Sequence, residues 1–208
     1  GVTLEKHITT VGGKKATSKV SRDIDNFSDD YADDDEYETE TGEVISAVSQ
    51  TLSPISSDEK ALLRQLSEYA AKASLRPDCK AKTLIDWLRK TLCPGGTWNR
   101  ERVIIFTEYR ATQKWLFDLL AREGFVMDVR LEMIYGGMPN DQREPIKAAF
   151  QTDPKKSAVR ILLATDAASE GVNLQNYCSQ LIHFEIPWNP NRMEQRNGRI
   201  DRHGQKAD

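Results

Sequence analysis

The sequence predicts an α/β fold in which a parallel sheet is covered by helices on both faces. A helical segment and an acidic N-terminal region precede it. Two observations carry that prediction. From about residue 97 onward, short apolar runs alternate with amphipathic stretches at the spacing of strand and helix. Strand and helix alternating in this way imply parallel pairing, with the crossover helices lying on the sheet faces.

The elements follow in order. Ser56-Ser57-Asp58-Glu59 reads as a helix start, after which Leu62, Leu66, Tyr69 and Ala73 recur at helical spacing. Arg76-Pro77-Asp78 interrupts that helix, with Pro77 placed for the first turn of the next one. Ala81, Leu84, Ile85, Leu88 and Leu92 then form a second apolar stripe, and Pro94-Gly95-Gly96 closes it as a turn. Val103 to Phe106 is strand-like. Residues 110–122 form a helix whose buried side is Trp115, Leu116, Leu119 and Leu120. Leu131 to Tyr135 is the next strand, ended by Gly136-Gly137, and residues 140–151 are helical with Ile146, Ala149 and Phe150 inward. Arg160 to Ala164 and Gln180 to Ile186 are the third and fourth strands, and a helix begins near Pro190. The chain thus divides into an acidic, flexible segment (1–55), a helical lead-in (56–96) and the α/β domain (97–208).

Composition narrows the function classes. At 208 residues the chain has room for one α/β domain and an attached segment. No stretch is long and apolar enough to cross a bilayer, and Gly1 to Thr10 lacks the core of a signal peptide, so an intracellular, cytoplasmic protein without a membrane partner is expected. Cys79, Cys93 and Cys178 are scattered with no metal-ligand spacing, and are read as reduced structural thiols rather than a metal site. The net charge of −3 hides a division. Residues 23–43 hold 11 acidic and no basic residues, which leaves 29 basic against 21 acidic elsewhere, a balance of +8. A basic remainder suits phosphate contacts. The acidic tract is a solvated run, or alternatively a strip that mimics a phosphate backbone.

In parallel sheets ligands bind at the carboxyl ends of the strands, and unusual residues cluster there. Thr107, Gly136, Gly137, Thr165 and Asp166 follow strand ends directly, and the fourth strand runs into Pro187-Trp188-Asn189-Pro190. Beyond it, Arg196, Arg199 and Arg202 fall three apart, on nearly one helix face. Arginine forks match phosphate oxygens bidentately. Composition alone favours an exposed, salt-bridged helix face.

Context resolves the choice. Gln195-Arg196-Asn197-Gly198-Arg199-Ile200-Asp201-Arg202 fits Q-x-x-G-R-x-x-R, the sixth motif of superfamily-two helicases. Leu163 to Leu174 resembles the same family's fifth motif, Val103 to Tyr109 its fourth, and Ile134 to Met138 with Arg143 and Phe150 the segment between them. Pro187-Trp188-Asn189-Pro190 and Arg202-His203-Gly204-Gln205 are similar to Swi/Snf ATPases, closest to the bacterial RNA-polymerase-recycling and phage-defence branch. The resemblance covers residues 78–206 and implies a RecA-like C-terminal helicase lobe.

Position by position, the resemblance implies that Arg199 and Arg202 meet the γ-phosphate of ATP, with Arg202 as the finger. Gln195, Gly171, Asn173, Glu170 and Asp166 fall around the nucleotide, Asp166 and Glu170 organising the arginines. Thr107, Arg110, Gly136, Gly137 and Thr165 would grip the nucleic-acid backbone, double-stranded DNA being the implied track. Each threonine is equally read as a helix cap. Trp188 is read as buried against the sheet rather than stacked on a base.

A phosphate-cradling loop is missing. Gly12-Gly13-Lys14-Lys15 fails the pattern, which would need glycine where Ile8 stands and Ser or Thr where Lys15 stands. No acidic magnesium-binding run of the helicase kind appears either. The expectation is half an enzyme, whose first RecA-like lobe precedes Gly1 in the same polypeptide and binds Mg2+ and most of the ATP. The alternative is a non-catalytic module that binds nucleic acid or protein.

Overall fold

The computed structural model describes residues 56–166 and 177–198. The acidic tract, Glu170, Gly171, Asn173, Arg199 and Arg202 lie outside the described residues. The chain forms two compact units, Gly1–Ala73 and Ser74–Asp208.

In the first unit the described element is helix α1 (Ser57–Ala73). Ser56 and Glu59 start it as a reciprocal capping box. The Glu59 N–H donates to Ser56 Oγ at 3.3 Å, and the Ser56 N–H donates to Glu59 Oε2 at 2.8 Å. Leu62, Leu66 and Tyr69 hold their helical spacing and are exposed.

The second unit is built on four parallel strands: β1 (Val103–Thr107), β2 (Leu131–Ile134), β3 (Ile161–Thr165) and β4 (Gln180–His183). Their spatial order is β2-β3-β1-β4. Helices α2 (Cys79–Leu92), α3 (Arg110–Arg122), α4 (Asn140–Gln151) and α5 (Pro190–Asn197) complete it. Side chains alternate between sheet faces with a period of two, and that alternation divides the core. Val103, Ile105, Leu131, Ile161 and Leu163 pack with Leu84, Leu88 and Leu92 of α2 and Leu116, Leu119 and Leu120 of α3. Ile104, Phe106, Ile134, Leu162 and Ala164 face the other way, against Phe150 of α4 and Cys178. Both faces are covered, as expected.

Two local readings differ. Pro77 stands ahead of the second helix rather than in its first turn, because Asp78 is the cap: its Oδ1 accepts the Ala81 N–H at 2.7 Å. Trp188 is 93 % exposed instead of buried. Strand β4 ends at His183, so Pro187 and Trp188 lie in the connection to α5, past the reach of the sheet.

The basic residues at the amino ends of the strands serve packing. Arg102 is fully buried with no carboxylate bonded to it among the described residues, and its guanidinium donates to carbonyls at the end of α4: Phe150 O and Thr152 O at 2.5 Å each, with Val159 O at 3.1 Å. A cation there complements the negative end of the helix dipole. Burial, with neighbouring Arg160 adding to it, brings the Arg102 pKa down to about 10, which still leaves it charged at neutral pH.

Candidate active edge of the sheet

At the carboxyl edge, parallel register sets the geometry. Thr107 and Thr165 are direct partners at the ends of β1 and β3, and both are fully buried. Thr165 Oγ1 accepts the Gly136 N–H from the end of β2 at 3.3 Å. Thr107 Oγ1 is a buried hydroxyl with no hydrogen-bond partner among the described residues. Leaving such a group unpaired costs on the order of 1–3 kcal/mol. Gly137 is exposed at φ 78, in a turn closed by the Met138 N–H to Tyr135 O at 3.3 Å. That left-handed φ accounts for a glycine at this position.

Two of the expected phosphate contacts are arranged differently. The Gly136 N–H is directed at Thr165, so Gly137 is the exposed member of the glycine pair. Arg110 is only 7 % exposed: its guanidinium lies over the Tyr135 ring, 3.4 Å from the centroid, and donates to Gln113 Oε1. The first turn of α3 faces β2, where Gln113 also donates to Ile134 O, so Arg110 is folded inward and joins α3 to the β2 end.

The most connected residue at this edge is Arg196. It is 1 % exposed and grips Asp166 with a bidentate fork, Nε to Oδ1 at 2.5 Å and Nη2 to Oδ2 at 2.7 Å. Nη1 donates to Glu185 O at 2.9 Å and lies 3.4 Å from His183 Nδ1, while the guanidinium sits 5.3 Å from the Phe106 ring centre. The other ring nitrogen of His183 stands 3.1 Å from Asn197 Oδ1. Both Asp166 oxygens are thus engaged by arginine, with Arg192 3.9 Å away as well. Gln195 is exposed on α5 beside this pair.

Glu185, just beyond β4, extends the network. Its Oε2 accepts the Glu108 N–H at 2.9 Å and the Tyr109 N–H at 3.4 Å, and its Oε1 accepts the Thr112 hydroxyl at 3.0 Å. A carboxylate is favoured there by the N–H groups and dipole at the start of α3. The crowding also reaches Glu108. Burial pushes its carboxyl pKa up and the Glu185 charge adds to that, with Arg196 opposing. Sequence reasoning passed over Glu185, His183 and the anchoring role of Arg196. The expected strand ran to Ile186 and so hid Glu185 inside it; the observed β4 ends at His183, which puts Glu185 past the strand end, as Asp166 is.

Comparisons with known proteins bear on the family and the fold. YqhH of Bacillus subtilis, an uncharacterised ATP-dependent helicase, is 37 % identical over 129 residues, 62 % of this chain and 20 % of YqhH. The RNA polymerase-associated protein RapA of Proteus mirabilis is 35 % identical over 126 residues, 60 % of this chain and 12 % of RapA. The chain therefore spans a fifth or less of these relatives, and RapA stands in the branch that the motifs indicated. Among solved structures, domain 2 of the DEAD-box helicase Mss116p, bound to an RNA duplex, matches with a TM-score of 0.50 at 19 % identity, over 62 % of this chain and 47 % of that one. That likeness supports the RecA-like fold. The model of the helicase conserved C-terminal domain matches residues 80–204, more than half of the sequence, and the chain belongs to that family.

Proposed function

We propose that this chain is the second motor lobe of an ATP-dependent nucleic-acid helicase or translocase of the Swi/Snf type. It supplies Arg199 and Arg202 to the nucleotide and part of the grip on the nucleic-acid backbone. The observation that carries the reading is the anchoring of α5. Arg196, three residues before Arg199 in sequence, is locked to Asp166 at the end of β3, so the arginine run starts from a fixed point at the carboxyl edge of the sheet. ATP, when bound, supplies the phosphoanhydride bond that is hydrolysed.

The fit of the described residues is partial and specific. Gln195 is exposed on α5 and is taken to meet nucleotide, whereas Asp166 is engaged by arginine. Among the described residues no group of three acidic, histidine or cysteine side chains is placed to hold a metal ion, and Mg2+ is assigned to the first lobe. Arg202 serves as the finger, with Glu170, Gly171 and Asn173 completing the nucleotide side. Gly137 contacts phosphates of the track, which we take to be double-stranded DNA, whereas Thr107 and Thr165 are fully buried at the strand ends beside it. These contacts read backbone rather than sequence, as a stepping motor requires. The relatives' names make RNA polymerase a candidate partner.

A lobe with a finger but no phosphate loop hydrolyses nothing alone. Purified residues 1–208 are expected to show no ATP turnover with or without DNA, and robust turnover would sink the two-lobe reading. In the full-length protein, Arg202→Ala is expected to abolish nucleic-acid-stimulated hydrolysis and leave the fold intact.

A further inference from the structure

We propose that the amino edge of the sheet carries a docking surface for an acidic protein segment with apolar anchors. It lies at the opposite end of the strands from the candidate active edge and is independent of the motor reading. Two segments form it: the turn after α2, and the connection from α3 to β2. A run of ring contacts holds them together. Arg130 lies over Trp98, 5.4 Å from its ring centre, Trp98 meets Phe125 edge-on at 6.0 Å, and the Arg89 guanidinium of α2 stands 6.0 Å from the Phe125 ring. Arg89 also bonds Glu123 at the end of α3. Phe125 is buried, but the residues after it turn outward: Val126, Met127 and Val129 are exposed, Met127 by 69 %. On the α2 side, Arg89, Lys90, Cys93 and Pro94-Gly95-Gly96 line an open hollow of about 600 Å³.

The connection is held in place. The Met127, Val129 and Arg130 N–H groups donate to Gly124 O, Val126 O and Met127 O at 3.4, 3.2 and 3.3 Å, and Arg130 O accepts the Arg160 and Ile161 N–H groups at 2.8 and 2.9 Å. Asp128 and Val129 both stand in the left-handed region, at φ 57 and 59. For a β-branched residue that conformation is strained. Asparagine at position 129 would hold the same turn with less strain and put less apolar surface in water, so the packing of the domain does not explain the valine. A contact made when the surface is covered does, and strained backbone of this kind clusters at ligand-binding segments. Exposed methionine beside a tryptophan and arginines is also the composition of an interface centre. Charge selects the occupant. Residues 89–101 and 122–130 hold five basic and three acidic residues, a balance of +2 in a chain of net −3. Of the acids, Glu123 is tied to Arg89, whereas Lys90, Arg100 and Arg122 are exposed around the apolar centre. An acidic segment meets complementary charge there while its apolar residues cover Met127 and Val129. Nucleic acid, held through its phosphates, would give those two side chains nothing to pack against.

The experiment is fluorescence-anisotropy binding to the full-length protein. The probe is a labelled peptide in which leucine and phenylalanine recur among glutamates. One control peptide carries lysine for every glutamate, and another serine for every leucine and phenylalanine. The acidic apolar peptide is expected to bind at least about tenfold tighter than either control. Met127→Ser and Val129→Asn should each weaken it by about tenfold, the loss that marks an interface hot spot. Lys90→Glu should weaken it by roughly threefold or more, with a smaller effect at high salt. The melting temperature of Val129→Asn should be unchanged or raised, since the strain goes with the valine. A lowered melting temperature with wild-type peptide affinity would make Val129 merely structural and overturn the proposal. Equal binding of all three peptides, or of none, would overturn it as well. So would a loss of duplex DNA affinity or of self-association in Met127→Ser, which would give the surface to nucleic acid or to a second copy of the chain.

Discussion

Arg102 and Arg196 are both buried guanidinium groups, and their partners separate their roles. Arg102 has carbonyls around it, and its work is to satisfy the end of α4. Arg102→Met fills a similar volume but leaves those carbonyls unpaired. It is expected to destabilise the domain by about 2–4 kcal/mol, read from the urea midpoint. Glu132, on edge strand β2, presents the reverse situation, a carboxyl pushed up by burial. Its folded-state pKa is above the unfolded one, so ionised Glu132 costs stability. The cost is absent below the ordinary glutamate range and complete above the raised value. Glu132→Gln should therefore stabilise the domain at neutral pH, with the gain shrinking as pH falls through that window. Thermal melts at pH 7.5 and at the acid end would show it. A gain that grows on acidification would contradict this assignment.

At the scale of elements, α3 shows how a helix end is written. The Gly124 N–H donates to Ala121 O and the Phe125 N–H to Leu120 O, the paired bonds of a Schellman motif, with Gly124 at φ 88. Phe125 and Leu120 both enter the core, which seals the turn. A Cβ on Gly124 would meet nothing within 4 Å, so the cost of Gly124→Ala is conformational alone. It should be about 1–2 kcal/mol by chemical denaturation. Strands and helices of this kind were legible because burial imposes their periods: Ile104 and Phe106 alternate with Val103 and Ile105 between two cores, as the continuous apolar run implies. Helix α5 was less legible in one respect. Spacing of three placed Arg196 on a face with Arg199 and Arg202, but spacing does not say which arginine turns inward. The inward position is set by Asp166, thirty residues away in sequence.

For the molecule as a whole, the sequence indicated the sheet edge at which the candidate site residues gather, and the structure brings Thr107, Thr165, Gly136 and Asp166 together there as parallel register requires. What sequence did not reveal is the wiring among them. The inward turn of Arg110 and the cap formed by Glu185 depend on tertiary neighbours, Tyr135 and the start of α3, that no local pattern encodes. The acidic tract and the basic remainder divide the charge so that the net value of −3 says little about the edge itself. The central claim is that the arginine run completes an active site shared with another lobe. Its most direct test is ATP hydrolysis by the full-length protein carrying Arg202→Ala, with DNA affinity measured in parallel. The account predicts a fall in DNA-stimulated kcat of about a thousandfold or more, with DNA binding and the melting temperature unchanged. Hydrolysis at the wild-type rate by a folded, DNA-binding Arg202→Ala protein would contradict it.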